Sequence, residues 1–419
     1  MILRKIFTII ILGTSLLFAG GFQINEHGAR AMALGNAFTA IANDASAVYW
    51  NAAGLSYLNG TQLILGTALI RPSTSFRGVY PNVTKFDMNA QTFFPSHLFL
   101  THTISTRFSV GAGFSNPFGL ATKWESDWIG KYLAIETELE TYSFPFVVSF
   151  RILPNLSVSG GVSYNFANVL ITQKSSQTPF VGDANVKLEG DDSFGFGYNF
   201  GVMWKPNDQI SVGAAFRSQV KYGFEGTGQT VGAEQLADLL PNGDLTADLT
   251  TPANLQGGIA YQVIKQLRLS ADFQWVGWSS YDSLIIDFNE PDIEDISRAR
   301  LYKDSYVIRF GGQYDLNNDI SVLGGIYFDK IPVDPENVNP SLPDSDRLGF
   351  SVGIDAKLTE KLGITGSYLF VRADELTVNN SNEIYTPYDE GNEASASKFN
   401  GTYNSNASVL SLSLYYSFN

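Results

Sequence analysis

A period-two alternation of apolar and polar residues recurs from about residue 60 to the C-terminus. At 267–275, Leu267, Leu269, Ala271, Phe273 and Trp275 fall on one face, and Arg268, Ser270, Asp272 and Gln274 on the other. At 348–356, Leu348, Phe350, Val352 and Ile354 oppose Gly349, Ser351, Gly353 and Asp355. The last strand is the cleanest, with Leu410, Leu412, Leu414, Tyr416 and Phe418 against Ser411, Ser413, Tyr415 and Ser417. A period of two marks a β-strand whose faces meet unlike environments. A soluble sandwich also alternates, so the connections have to separate the two cases. Short turns at 101–107, 152–157, 205–210, 263–268, 315–320 and 357–362 alternate with long polar connections. The long ones lie near 74–88, 117–137, 172–190, 223–250, 279–303, 329–346 and 373–406. Tight turns on one side and long loops on the other are the pattern of outer-membrane barrels. Six short turns with both termini on their side predict an all-β transmembrane barrel of about fourteen antiparallel strands.

The N-terminus agrees with export. Arg4 and Lys5 precede an apolar run at 6–18, and Ala19, Gly20 and Gly21 follow as small residues. This reads as a secretory signal over 1–19, cleaved after Ala19, because the run is too short for a membrane-spanning helix. No later segment is apolar for long enough to span as a helix. The chain has no cysteine, hence no disulfide framework and no thiolate chemistry. A net charge of −14 argues against nucleic acid and against a basic membrane-surface binder.

Residues 22–54 read unlike the rest. FQINEHGARAMALGNAFTAIANDASAVYWNAAG is dense in Ala and Gly and poor in charge. It is too small-residue-rich to form a core of its own and too apolar to trail in water, so it must pack inside something. Together with the preceding Gly21 and the following Leu55 and Ser56, it resembles the N-terminal hatch of the FadL/TodX family, the long-chain fatty acid and hydrocarbon channels of the Gram-negative outer membrane. PFGLATKWESDWIGKYL at 117–133, GFGYNFGVMWKPND at 195–208, VGAAFRSQVKYGFEG at 212–226, ADFQWVGWSSYDSL at 271–284 and the block 342–370 continue the resemblance in order. One departure stands out: the family has Asn-Pro-Ala before a glycine, and this chain has Asn51-Ala52-Ala53-Gly54. Losing the proline removes a fixed φ, which leaves Asn51 and Gly54 to anchor the hatch.

The resemblance implies a hatch over 20–60 plugging a barrel over 61–419. It implies passive uptake of long-chain fatty acids or other hydrophobic compounds by loop capture, lumen binding, hatch rearrangement and lateral release. It also implies contact with outer-membrane lipid and lipopolysaccharide, handling by the barrel-assembly machinery through the C-terminal strand, a monomer, and no cofactor. Phe418 stands near the end, where such strands carry an aromatic; the trailing Asn419 departs from that pattern.

Candidate site residues follow. Phe22 matches the family's N-terminal phenylalanine, which reaches toward the interior pocket; a simple core aromatic is the other reading. Phe118, Leu120, Trp124, Trp128, Ile129, Tyr132 and Leu133 make the 117–137 loop unusually apolar, with a spacing that suits a short amphipathic helix. They read as half of a capture groove, or else as a loop helix packed on its neighbours or on the membrane interface. Alternation at 210–222 turns Arg217 and Lys221 into the lumen, and Arg309 likewise. These are candidates for a ligand carboxylate, or partners of lumen carboxylates such as Asp272 and Asp355. Gly111, Gly113, Asn116 and Pro117 are candidates for a strand kink at a lateral exit, with Pro95 as a rival; they could equally end strands at a loop.

Other classes find little support. His27, His97 and His102 have no metal-ligand spacing, and the acidic runs at 282–295 and 389–393 lack the EF-hand pattern. No nucleotide loop and no nucleophile elbow is present. A general diffusion porin would lack the Ala/Gly-rich plug. A receptor or adhesin barrel remains an alternative.

Overall fold

The computed structural model describes residues 20–81, 83–176, 182–232, 242–290, 293, 295–384 and 398–418. The expected signal at 1–19, the acidic stretch at 389–393 and Asn419 lie outside the described residues.

Fourteen strands form one closed antiparallel sheet. β1 is Thr61–Gly78, β2 Ser96–Thr103, and β3 comes in two parts, Phe108–Phe114 and Gly119–Lys123. β4 is Glu136–Leu153, β5 Leu156–Ser176 and β6 Asp183–Trp204. β7 joins Ile210–Arg217 to Val220–Val231, and β8 joins Gly243–Thr251 to Asn254–Ile264. β9 joins Leu267–Val276 to Ser283–Phe288, and β10 joins Ile296–Ala299 to Ser305–Asp315. β11 is Ile320–Asp329, β12 Arg347–Lys357, β13 Leu362–Ala373 with Leu376–Val378, and β14 Gly401–Ser417. β14 pairs back onto β1, from Gln62 opposite Ser417 to Gly78 opposite Gly401. Among the described residues, closure pairs the strands of the apolar band on both sides, which is what a β-structure in lipid requires.

All six short turns fall where the sequence places them. The long connections are shorter than expected, because several strands run on beyond the apolar band. β5 reaches Ser176, and β14 begins at Gly401. Pairing continues there while the outward face turns polar, so hydropathy alone hides these strand ends.

The outward face is apolar in strand after strand. Phe200 is 58% exposed, Leu412 50% and Phe350 47%. Such a continuous band marks the lipid-facing surface of a membrane barrel.

Near the long-loop end, β6, β7 and β8 each carry an irregularity that reverses the faces. In β8, Leu255, Ile259 and Tyr261 point out below residues 252–253, whereas Leu245 and Leu249 point in above them. In β7 the reversal falls at 218–219: Val220, Tyr222 and Phe224 are buried and Lys221 is exposed. One extra residue moves every following side chain to the other face. The chain thus keeps apolar groups toward lipid below and toward a dry interior above, where the outside is water.

Residues 20–60 lie inside the barrel. Two short helices, Ala29–Ala33 and Ala47–Trp50, and a 3-10 helix, Ala52–Tyr57, are too short to be stable alone. Wall groups satisfy their backbone. Ser413 Oγ accepts from Ala29 N (2.9 Å), Ser351 Oγ accepts from Gly35 N (3.0 Å) and donates to the Ala33 carbonyl (2.9 Å), and Asp272 Oδ2 accepts from Thr39 N (2.8 Å). Within 27–56 only Arg30, Asn43 and Asp44 are less than buried. Small residues permit this fit: a Cβ on Gly325 would lie 2.1 Å from the Gly35 nitrogen.

Candidate functional site: two chambers around the N-terminal segment

The inserted segment divides the interior. On the short-turn side is a polar vestibule of about 720 Å³ bordered by Arg30, Asp44, Arg268 and Asp315. On the long-loop side is a cavity of about 750 Å³, within the usual size range of ligand pockets. Above it, enclosed by the upper parts of β4 to β10, is a narrow apolar chamber of about 120 Å³ bordered by Leu188, Phe224, Leu249 and Ile286.

Phe22 borders both the large cavity and the upper chamber. It is 4% exposed and meets Trp278, Tyr281 and Phe118 edge-on, at centroid distances of 4.8, 5.6 and 6.0 Å. The backbone beside it is tied down at both ends. Asp344 Oδ2 accepts from Gly21 N (2.5 Å), and Arg347 donates to the Gly21 carbonyl (2.9 Å) and to Asp344 Oδ1 (2.6 Å). On the other side Gly119 N donates to the Phe22 carbonyl (3.0 Å), and Ile24 N to the Pro117 carbonyl (2.9 Å), with Gln23 bridging Phe118. The first residues of the segment therefore pair as a short strand onto β3.

They do so where β3 is irregular. From Ser115 to Gly119 β3 takes four steps while β4 takes three from Ser143 to Glu140, so one residue bulges. Asn116 and Pro117 occupy this bend. Asn116 Oδ1 accepts from Ser96 N (3.1 Å) and its Nδ2 donates to the Thr141 carbonyl (3.0 Å), linking β2 to β4 across the gap. The large cavity is lined here by Asn116 and also by Phe94, Phe114 and Tyr142, which stand on the outer face of the wall. Gly111 and Gly113 instead sit in regular pairing. A Cβ on Gly111 would lie 2.6 Å from Val48, so this glycine makes room for the inserted segment and not for a kink. Pro95 borders the cavity just before β2.

The 117–137 loop divides by side chain. Phe118 and Leu120 line the large cavity, and Leu120 and Leu133 the upper chamber. Trp124 and Trp128 line neither. They stack face to face, with centroids 4.1 Å apart at 8°, and are 1% exposed, packed under Phe76, Phe86 and Phe399. Their indole N–H groups donate to the Pro340 and Ala134 carbonyls. The expected amphipathic helix is absent from this described stretch; the segment is a series of turns that buries both rings in a loop core. Ile129 packs against the same core. Tyr132 donates to Asp183 Oδ1 (2.8 Å) beside Lys131, whose hydrogen bond to Asp183 holds its ammonium above the usual range.

The three candidate cations part company. Arg309 is inward and buried, donating to Gln274. Arg217 is inward but supports the inserted segment, with its guanidinium 4.0 Å from the Tyr49 ring and donating to the Tyr49 carbonyl. Lys221 points outward and pairs with Asp248 at 2.6 Å. Strict alternation assigned it inward because the residue inserted at 218–219 leaves no mark in a hydropathy pattern. Arg347, missed by that pattern, lines the cavity at the start of β12.

Asn51 joins the inserted segment to the wall. Its Nδ2 donates to the Thr39 and Val202 carbonyls (both 3.0 Å), and its Oδ1 caps Ala53 N (3.2 Å). A Cβ on Gly54 would lie 2.1 Å from the Ala42 carbonyl oxygen, so only glycine fits. Ala52 opens the 3-10 helix at the site of the family's proline. Near the cavity, burial pushes the Glu26 carboxyl above its usual range, against backbone N–H groups and the guanidiniums of Arg309 and Arg347, which pull it down. Among the described residues no cluster of His, Asp or Glu could hold a metal ion.

Known proteins share this architecture. The chain is 24% identical to the long-chain fatty acid transport protein of Escherichia coli K12, over 92% of this chain and 94% of that protein. It is 23% identical to outer membrane protein P1 of Haemophilus influenzae, over 97% and 98%. Among solved structures, a Pseudomonas aeruginosa FadL homologue superposes with a TM-score of 0.82 at 21% identity, covering 96% of this chain and all of that one. The Pseudomonas putida toluene transporter TodX does so at 0.75 and 16%, covering 94% and 98%. The family of outer membrane transport proteins described as OMPP1/FadL/TodX matches residues 10–418. The chain therefore belongs to that family, and it is a β-barrel of the Gram-negative outer membrane.

Proposed function

We propose that this protein is a passive uptake channel for long-chain fatty acids or other hydrophobic compounds, with residues 20–60 as its hatch and with no enzymatic step. The observation that carries the reading is the large cavity itself. It is closed toward the short-turn side by the inserted segment and reaches the outer face of the wall beside the β3 bulge. A solute that enters from the loops and leaves by that opening passes into the membrane without crossing the polar vestibule. An apolar solute gains about 0.8 kcal/mol per buried CH₂ by staying out of water, so a sideways route suits it better than an aqueous pore. Phe22 is the movable part of this route, and its pairing with β3 links hatch movement to the wall opening. In the family's scheme capture begins among the loops. In this chain Leu120 and Leu133, which border the upper chamber, suit that step better than the buried tryptophans.

The test is uptake by a Gram-negative host lacking its own transporter of this type, with a labelled alkane and a labelled fatty acid, paired with conductance in planar bilayers. Uptake of at least one ligand above the empty-vector control, with little steady ion current, is expected. No uptake together with a large steady current would identify a diffusion porin instead.

A further inference from the structure

The large cavity is lined by more acidic than basic side chains. Its lining includes two guanidiniums, Arg309 and Arg347, and five carboxylates, Glu26, Glu138, Glu140, Asp329 and Asp344; no lysine is among its lining residues. One guanidinium is fully committed and the other in part. Arg347 holds Asp344 and the Gly21 carbonyl. Arg309 donates to Gln274, has Asp272 as its cross-strand partner and has Asp329 one diagonal step away on β11. The guanidinium edge left open, Nη1 of Arg309, thus belongs to a side chain flanked by two carboxylates. The mouth beside the β3 bulge is acidic as well. Glu138 and Glu140 stand on the outer face of β4, where Tyr142 donates to Glu140 (2.6 Å); of that row, Glu136 is the one paired with Lys123.

We infer that this cavity selects uncharged hydrophobic molecules, such as alkanes, long-chain alcohols or aromatic hydrocarbons, over ionised carboxylates. The inference rests on the uptake reading above and names its substrate class. An ionised carboxylate entering a desolvated site needs a cation or several donors to replace water. At the mouth beside the β3 bulge it would meet Glu138 and Glu140, and like charges near a low-dielectric site oppose each other. An alcohol has no such requirement, and its hydroxyl can donate to the carboxylates already present.

The test compares two ligands of equal chain length on the mature barrel in phosphatidylcholine nanodiscs. Binding of 10-bromodecanol and 10-bromodecanoate is read by tryptophan quenching, corrected with empty nanodiscs. At pH 7.5 the alcohol should bind at least about tenfold more tightly, the size of effect that one pKa unit of like-charge repulsion represents. The Glu138→Gln/Glu140→Gln double variant should narrow that ratio. Equal or tighter binding of the carboxylate, or a ratio the double variant leaves intact, overturns the charge selection. Binding of neither ligand overturns the uptake reading with it, so the two failures are told apart.

Discussion

Phe22 stands, with Leu120, Leu139 and Leu342, where the large cavity and the upper chamber meet, held by edge-on contacts with Trp278, Tyr281 and Phe118. Edge-to-face pairs contribute about 0.5–1.5 kcal/mol each beyond area burial, so moving the ring aside costs about 2–4 kcal/mol in these contacts. A ligand passing between the chambers has to supply that. Phe22→Ala removes the ring from this boundary while Asp344, Arg347 and β3 still hold the neighbouring backbone. The initial rate of uptake should rise about tenfold, with heat-modifiable gel migration unchanged. A rate equal to wild type would make Phe22 an ordinary core ring. The position of this residue was legible in the sequence only through the family resemblance; that it separates two chambers was not. Nothing local to GGFQIN states that Trp278, some 250 residues later, will face it.

At the scale of the element, β3 and the first residues of the inserted segment act as one unit. Gln23 and Phe118 are bridge partners, and the chain has no cysteine of its own. Antiparallel bridge partners bring their Cα atoms to about 4.5–5.5 Å, inside the range a disulfide accepts. A Gln23→Cys/Phe118→Cys protein should therefore form a single defined cross-link. Oxidised, it should lose uptake, and reductant should restore it to the level of the Phe118→Cys single variant. Full uptake in the oxidised form would uncouple the hatch from β3. Here Asn116 and Pro117 were readable as a bend, since proline cannot serve a regular ladder. Gly111 and Gly113 were misleading, because a strand glycine can mark a bend or a close neighbour and the sequence does not say which. Trp124 and Trp128 misled for a related reason. A loop rich in aromatic residues can present them or bury them, and the choice depends on Phe76 and Phe399 arriving from distant segments.

At the scale of the whole molecule, alternation and turn lengths were enough for strand number and closure, because every barrel strand obeys the same two-faced environment. Where that environment changes, the pattern changes with it, and β14 shows the boundary plainly. Its outward residues are polar at Asn404, Asn406 and Ser408, then apolar at Leu410, Leu412, Leu414 and Tyr416. The stretch 410–418 matches the roughly 9–11 residues a tilted strand needs to cross the hydrocarbon core. If the lower part faces lipid and the upper part water, a charge should be tolerated at one height and not at the other. Lysine near the middle of the bilayer costs about 2–4 kcal/mol, falling to about 0–1 near the interface. Leu412→Lys should therefore lower the unfolding free energy in lipid vesicles, measured by denaturant titration, by about 2–4 kcal/mol. Asn404→Lys, on the same face of the same strand, should change it by less than about 1 kcal/mol. Both residues stay paired to β1, opposite Thr67 and Ser75, so loss of β-pairing would affect the two alike. Equal costs would mean that both heights see the same solvent, and the lipid boundary would then have to be moved off β14.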